Sequence, residues 1–228
     1  MNQVYAGAVI AAGGMAQRMQ GVNKQILKID GIPVLVRSIR ALAAIPEIRE
    51  MVVVARPELF EQLESWKQEY HLPDFCLTAG GDTRQQSVLN GVGCLSEQVE
   101  YVVIHDGARP FADRQLIDRC LQSAVEHQAA TAAVPVKDTI KVFEGGFIAA
   151  TPDRSTLRAV QTPQVIDRDL LLGALEKAEQ EGTALTDDCS AVEHIGMRVR
   201  LVEGEERNLK VTTPLDLKIA ELLLEEKK

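Results

Sequence analysis

The opening stretch constrains the fold more than any other part of the chain. Ala8-Val9-Ile10-Ala11-Ala12 is a run of small and aliphatic residues, the pattern of a strand covered on both faces of a parallel sheet. Gly13 and Gly14 follow at once. Glycine lets a backbone turn sharply and approach a ligand closely, because no Cβ intervenes, and successive amides in such a turn can converge on an anion. Arg18 and Lys24 add positive charge around the same loop. A buried strand, a glycine turn and flanking cations suit a polyphosphate. They also suit a plain turn after a first strand, and the loop alone does not choose between the two.

The rest of the chain extends the pattern. Gln25 to Ile29 reads as a short strand closed by a turn at Asp30-Gly31, and Pro33 suits a helix start. Val34, Leu35, Ile39, Leu42 and Ala43 then recur at helical spacing up to Pro46. Met51 to Ala55 is a second buried strand, followed by a polar helix from Pro57 to about Tyr70. Phe75 to Thr78 is a weaker strand ending at Ala79-Gly80-Gly81, before a helix from about Thr83 to Leu95. Tyr101 to His105 is a fourth strand. Alternation of this kind predicts a Rossmann-like α/β fold, a mostly parallel sheet with helices on both faces.

Ligands of such sheets bind outside the carboxyl ends of the strands. Three polar clusters fall there: Gly13 to Arg18, Gly80 to Ser87, and His105-Asp106-Gly107-Ala108-Arg109-Pro110. Their coincidence at one end says more than any one of them.

Past Pro110 the pattern changes. Arg114 to His127 reads as a helix, and Ala132 to Val136 as a strand that stays extended into Lys137 to Phe143. Glu144-Gly145-Gly146 is a hairpin turn signal, with Phe147 to Thr151 returning. An isolated hairpin cannot bury its own apolar side chains. The expected arm, at about 137–157, therefore packs on a second copy of the chain, the alternative being an arm folded back on its own sheet. Later elements are a helix from Asp167 to Glu181, a helix capped by Thr186-Asp187-Asp188, a strand at Val199 to Val202, and a final helix with Thr213 as cap and Pro214 first. No repeat or linker interrupts the chain, so residues 1–228 read as one domain with an arm.

Composition excludes several function classes. A net charge of −8 speaks against general nucleic-acid binding, which needs a surplus of Lys and Arg. No apolar run approaches the ~20 residues that span a bilayer, and the start of the chain lacks the basic region and cleavage pattern of a signal peptide. The expected location is the cytoplasm. Cys76, Cys94, Cys120 and Cys189 show no C-x-x-C spacing and no pairing with histidine. They read as free thiols of a reducing compartment.

Taken in order, these clusters carry a resemblance. Ala11 to Met19, Asn23-Lys24-Gln25, Gly80 to Val88 and His105 to Pro110 are followed by Lys137 to Lys141, Gln161-Thr162-Pro163-Gln164, Thr186-Asp187-Asp188 and Asn208 to Pro214. The set resembles the 2-C-methyl-D-erythritol 4-phosphate cytidylyltransferases of non-mevalonate isoprenoid synthesis over nearly the whole length. Two places depart from the family's usual pattern. Gly13 stands where alanine is usual and Ala16 where the second loop glycine is usual, and Asp106 precedes Gly107 where alanine is more common.

The resemblance implies transfer of CMP from CTP to methylerythritol phosphate with release of pyrophosphate, in a homodimer with Mg²⁺ as cofactor. It implies that Arg18 and Lys24 stabilise the transition state and leaving group. Arg154, reaching the partner's site, and Lys210 would position the second substrate's phosphate. Ala12, Gly13, Gly14, Gly81, Asp82 and Ser87 correspond to the cytidine nucleotide pocket. Asp106 and Arg109 fit roles at the ribose, metal and methylerythritol hydroxyls, and Thr139 and Thr162 at the second substrate. His105 reads as a packing or hydrogen-bonding residue, and Asp187 and Asp188 as helix-start acids favoured by the dipole. Arg84 is left open, as a solvated or an ion-paired residue.

Three alternatives differ in testable ways. A ribitol-5-phosphate cytidylyltransferase would share the fold and many motifs, but Gly80 to Val88 and Asp153 to Gln164 look more like the methylerythritol enzymes. An NAD-dependent oxidoreductase would want G-x-G-x-x-G after the first strand and an acid at the end of the second, where this chain has Ala55-Arg56. A non-catalytic nucleotide sensor would not need Arg18, Lys24, Asp106 and Lys210 together.

Overall fold

The computed structural model describes residues 4–14 and 26–225; Arg18 and Lys24 lie outside them. In chain order the first half contains β1 (Ala6–Ala11), a small hairpin of β2 (Lys28–Ile29) and β3 (Ile32–Pro33), α1 (Val34–Ala43), β4 (Ile48–Ala55), α2 (Phe60–Glu69), β5 (Cys76–Ala79), α3 (Arg84–Val92) and β6 (Tyr101–Asp106). The second half contains α4 (Arg114–His127), β7 (Ala129–Pro135), β8 (Val142–Glu144), β9 (Phe147–Ala150), β10 (Arg158–Asp167), α5 (Arg168–Gln180), α6 (Asp188–His194), β11 (Arg200–Glu203) and α7 (Pro214–Glu225).

Seven strands form one sheet in the order β11-β7-β10-β6-β1-β4-β5. The small-residue run does what its composition requires. Ala6, Ala8 and Ile10 of β1 face one core and Val9 the other, all fully buried. On the first face β1 and β4 pack under α1, α2 and α4 through Ile39, Leu42, Leu63, Trp66, Leu116 and Ile117. On the second, α3, α5 and α6 cover the sheet through Val88, Val92, Leu171, Leu175 and Val192. A smaller cluster of Ile29, Val34, Phe111, Val211 and Ala220 joins the β2–β3 hairpin to α7. Among the described residues no helix is long and apolar enough to cross a membrane.

The parallel sheet has one exception that the sequence reading did not reach. β10 runs antiparallel to both its neighbours, β6 and β7. Its Gln161-Thr162-Pro163-Gln164 segment is polar and holds a proline, so nothing in its composition marks a central strand. The pairing with β7 slips between Val160 and Gln164, and this irregular stretch carries the polar side chains discussed below. Smaller differences follow local chemistry. Pro33 ends β3 and immediately precedes the first helical residue, and β7 stops at Pro135 instead of continuing extended to Phe143.

The arm is a real hairpin. β8 and β9 pair antiparallel around Gly145 and Gly146, whose φ values of +57° and +87° suit residues without a Cβ. Phe143 and Phe147 on it are 77% and 80% exposed. Together they form an exposed apolar patch at the tip of the arm.

Candidate active site

The carboxyl ends of β1, β5 and β6 open on a cavity of about 440 Å³. Gly13 and Gly14 border it on one side, Gly81, Asp82, Thr83 and Ser87 on another, and Asp106, Ala108 and Lys210 form its floor. α3 is drawn close to the sheet because Gly91 has no side chain. A Cβ there would sit 2.6 Å from a methyl of Val9 and 2.9 Å from one of Val54. The turn before α3 is stitched to its first turn. Gln86 N donates to Thr83 Oγ1 at 3.1 Å, Gly81 N donates to Ser87 Oγ at 3.1 Å, and Ser87 Oγ donates to Thr83 O at 2.9 Å. The positive end of α3 thereby faces the cavity, an electrostatic setting that favours an anion.

Asp106 is the hub of the floor. Arg84 Nη1 donates to its Oδ1 at 3.0 Å, while Lys210 Nζ at 2.7 Å and Arg109 Nε at 3.4 Å approach Oδ2. Burial alone would raise the pKa of this carboxyl. Arg84, Lys210 and Arg109 outweigh it and hold the group well below the ordinary carboxylate range. Arg84 spans to a second carboxylate, with Nη2 at 2.6 Å and Nε at 3.2 Å from Asp188 Oδ2. Burial opposes the charge on Arg84, but the two aspartates raise its pKa further. Burial pushes Asp188 up against the pull of the guanidinium. Three cations thus surround two carboxylates, and little of their charge is left over for a triphosphate.

The irregular part of β10 holds this hub from behind. Asp106 N donates to Thr162 Oγ1 at 3.0 Å, and Thr162 Oγ1 lies 3.1 Å from His105 Nδ1. His105 Nε2 lies 3.0 Å from the carbonyl oxygen of Arg109, which can only accept. The proton is therefore on Nε2, Nδ1 accepts from Thr162, and the chain of donors is fully used. Burial lowers the His105 pKa to about 4, which keeps the ring neutral and makes it a brace and not a base. Asn208 Nδ2 donates to Thr162 O at 2.8 Å, and Arg109 Nη1 donates to Asn208 O at 2.7 Å. Gln164 Oε1 accepts from the backbone of Asp188 at 3.0 Å and Cys189 at 3.1 Å, fixing the start of α6.

Of the expected nucleotide residues, Gly13, Gly14, Gly81, Asp82 and Ser87 line the cavity, and Ala12 is buried at the end of β1. Asp106 and Lys210 are in contact on its floor, and Arg109 joins them. Thr162 is 5% exposed with its hydroxyl engaged by Asp106 and His105, so it stands behind the floor. Thr139 and Arg154 lie apart, at the root of the arm. Thr139 is exposed, and Arg154 Nη1 donates to Lys137 O at 2.6 Å. Arg84 resolves as ion-paired. Asp188 is the partner that sequence reasoning treated as a simple helix-start acid. Asp187 takes that part, capping α6 in a reciprocal box with Ser190. A second acid directly behind a cap is the one sequence signal that could have singled out Asp188.

Comparisons with known proteins identify the family. The family model described as IspD, 2-C-methyl-D-erythritol 4-phosphate cytidylyltransferase, matches residues 6–226. The chain is 46% identical over 221 residues to the enzyme of that name from Caldanaerobacter subterraneus subsp. tengcongensis, covering 95% of this chain and 97% of that one. It is 43% identical to the Synechocystis sp. enzyme of the same name, covering 95% of each. A crystal structure of 4-diphosphocytidyl-2C-methyl-D-erythritol synthase from Anaerococcus prevotii superposes with a TM-score of 0.88 at 28% identity, covering 98% of this chain and all of that one. The corresponding enzyme from Thermus thermophilus gives 0.79 at 31% identity, covering 97% of this chain and 100% of that chain. With the family model matching nearly the whole length and relatives of up to 46% identity over 95% of it, the chain belongs to the 2-C-methyl-D-erythritol 4-phosphate cytidylyltransferase family.

Proposed function

We propose that the chain transfers CMP from CTP to 2-C-methyl-D-erythritol 4-phosphate, giving the CDP-alcohol and pyrophosphate, as a homodimer whose arms complete each other's sites. The observation that carries the reading is the cavity itself, where the glycine turns, the start of α3 and the Asp106–Lys210 floor meet at the carboxyl ends of the sheet. The nucleophile is a phosphate monoester oxygen. With a second pKa near 6 it is largely ionised at neutral pH, so the site needs no general base, and buried neutral His105 offers none. The ester oxygen forms a bond to the α-phosphorus of CTP while the bond to the β-phosphate oxygen breaks. The barrier lies in bringing two anions together and holding the charge that collects on the departing pyrophosphate. Positioning and fixed cations lower it.

The roles of Arg18 and Lys24 follow from the family likeness, and those of the described residues also from their placement. Arg18 and Lys24 stabilise the transition state and leaving group. Gly13, Gly14, Gly81, Asp82 and Ser87 seat the nucleotide, with Ala12 leading into the turn. Asp106 keeps Lys210 and Arg109 in place, and Lys210, whose side chain is 39% exposed, presents its ammonium to the incoming phosphate. Arg154 and Thr139 sit at the root of the arm, where they serve the partner's cavity.

Mg²⁺ fits this site as an ion carried by the triphosphate. Asp106 turns one carboxylate to the cavity with a lone pair left on Oδ1, and among the described residues no cluster of three metal-ligating side chains exists. Asp106 would help to hold it, and the ion would neutralise part of the triphosphate charge. The free thiols among the described residues suit a reducing, cytoplasmic setting.

Pyrophosphate release from CTP, assayed with methylerythritol phosphate and with ribitol 5-phosphate, tests the reading. Release with the first is expected. Release only with the second replaces the alcohol, and release with neither overturns the assignment.

A further inference from the structure

Lys210 stands on a stretch of chain without regular structure. Between the end of β11 at Glu203 and the start of α7 at Pro214, residues 204–213 form neither helix nor strand. A side chain on such a stretch is only as well placed as the tethers beneath it. The backbone ties both ends. Gly204 N donates to Ala133 O at 2.8 Å, and Val211 N donates to Ala108 O at 2.9 Å. Between these ties, side chains take over. Asn208 is held by Thr162 O and by Arg109, and Gln161 of β10 grips Glu205. Gln161 Nε2 donates to Glu205 O at 2.9 Å, while Gln161 Oε1 accepts from Glu205 N and from Asn208 Nδ2, each at 3.3 Å. The outer ion pairs of Glu205 with Arg119 and of Glu206 with Lys137 reach solvent, where such pairs contribute little.

Gln161 lies in the stretch where the register of β10 against β7 slips, between Val160 and Gln164. The residue is 7% exposed, and Thr131 Oγ1 donates to its backbone carbonyl at 3.3 Å. An amide carries donor and acceptor on one planar group. It can therefore meet the N–H and C=O of a single residue much as a neighbouring strand would. A carboxylate here could only accept, and a hydrocarbon chain could do neither. Gly204 completes the fit. A Cβ there would stand 2.6 Å from Gln161 Oε1 and 3.0 Å from the carbonyl of Ala133, so alanine would displace the amide.

We propose that Gln161 is a positioning residue, a role that rests on the reaction proposed above. Its amide pins the segment at Glu205 and Asn208, and the pinned segment sets where the Lys210 ammonium meets the incoming phosphate monoester. Adjacent residues of β10 thereby have separate duties. The Thr162 hydroxyl holds Asp106 N, and the Gln161 amide holds the chain that brings Lys210 Nζ within 2.7 Å of the Asp106 carboxylate. The nucleotide turns follow β1 and β5 and are no part of this tether. A slackened segment weakens use of the phosphate ester and leaves nucleotide binding alone.

The test compares the full-length protein with Gln161→Met and Gly204→Ala. The first keeps the length of the side chain without its hydrogen bonds; the second keeps Gln161 and lifts the segment from it. Pyrophosphate release is measured against each substrate, CTP affinity by titration calorimetry, and hydrogen exchange across residues 204–211. Each variant should raise KM for methylerythritol phosphate and lower kcat/KM for it by about 10²-fold, the scale of a reacting group displaced by ~1 Å. CTP affinity should be unchanged and exchange at 204–211 faster. The double variant should lose little more than either single one, because both act at one contact. Should Gln161→Met fail to fold, Gly204→Ala decides by the same readings. A role confined to folding would lower kcat with both KM values unchanged, and that result overturns the proposal. So does a wild-type KM for the ester in the folded variants, or a loss of CTP affinity. Wild-type protein that releases no pyrophosphate overturns the reaction and this role with it; an active wild type beside insensitive variants overturns this role alone.

Discussion

Replacing Asp188 by asparagine removes one negative charge from a buried trio while keeping the side-chain shape. Asp188 is 2% exposed at its side chain and Arg84 29%, and the guanidinium donates to the carboxylate twice, at 2.6 and 3.2 Å. Stripping one partner entirely from a buried ion pair costs ~3–5 kcal/mol. Here Arg84 keeps Asp106, and the amide oxygen still accepts a hydrogen bond. The loss is therefore that of charge assistance, about 2 kcal/mol. For a chain of this size that lowers the melting temperature by roughly 4–8 °C. The effect on turnover should be larger than the effect on folding. Arg84 holds Asp106 with its other nitrogen, and Asp106 holds Lys210; misplacing a reacting group by ~1 Å can cost about 10²-fold. The decisive companion is Arg84→Met/Asp188→Leu. An apolar pair in place of a buried ion pair is often neutral for stability, so melting should recover while pyrophosphate release stays low. Calorimetry beside a pyrophosphate assay separates the two effects. An Asp188→Asn protein that melts and turns over as the parent does would refute the reasoning, and so would a double variant of full activity.

Acid should weaken the fold in two stages. His105 takes a proton readily at about 6.5 when unfolded but only near 4 when buried. Its contribution is complete above pH 6.5 and falls by about 3 kcal/mol as pH drops to 4. Asp106, held low by its cations against burial, contributes fully above the unfolded carboxylate value and is lost only below it. Denaturation midpoints from pH 7 to 4 should show the first stage, and His105→Asn should flatten it. Arg18→Ala and Lys24→Ala should each lower kcat by about 10²-fold or more, as loss of one preorganised donor does; normal turnover in either removes it from the mechanism. Mixing Arg18→Ala with Arg154→Ala should restore roughly a quarter of the activity if each site in a two-fold dimer draws Arg154 from its partner, and none if it does not. Phe143→Ser/Phe147→Ser should sediment as a monomer, and an unchanged dimer would remove the arm from the interface.

The sequence exposes what is local. β1, the glycine turns and α4, whose cap Asp113 accepts from Leu116 N at 2.9 Å, follow from short-range patterns and were legible as such. The same holds for Asp187 as a cap and for the Gly145-Gly146 turn. What was illegible is carried by contacts between distant positions. Arg84 and Asp188 are 104 residues apart, and an arginine at a helix start looks the same whether it meets water or two buried carboxylates. β10 was missed because its side chains serve the site: two glutamines and a proline interrupt the β-branched run by which a central strand is recognised. Family resemblance supplied roles for Arg154 and Thr139 that one protomer's geometry does not bring to the cavity.

The antiparallel insertion has a consequence for how the molecule is made. The flank of β6 stays open until Gln164 to Asp167 arrive to pair with it. Asp106 has no Thr162 behind it, no Asp188 across from it and no Lys210 upon it until the final third of the polypeptide has emerged. A chain interrupted after α4 would hold its nucleotide turns yet possess no working floor. The capacity for chemistry should accordingly switch on late and all at once, with the docking of segments synthesised last.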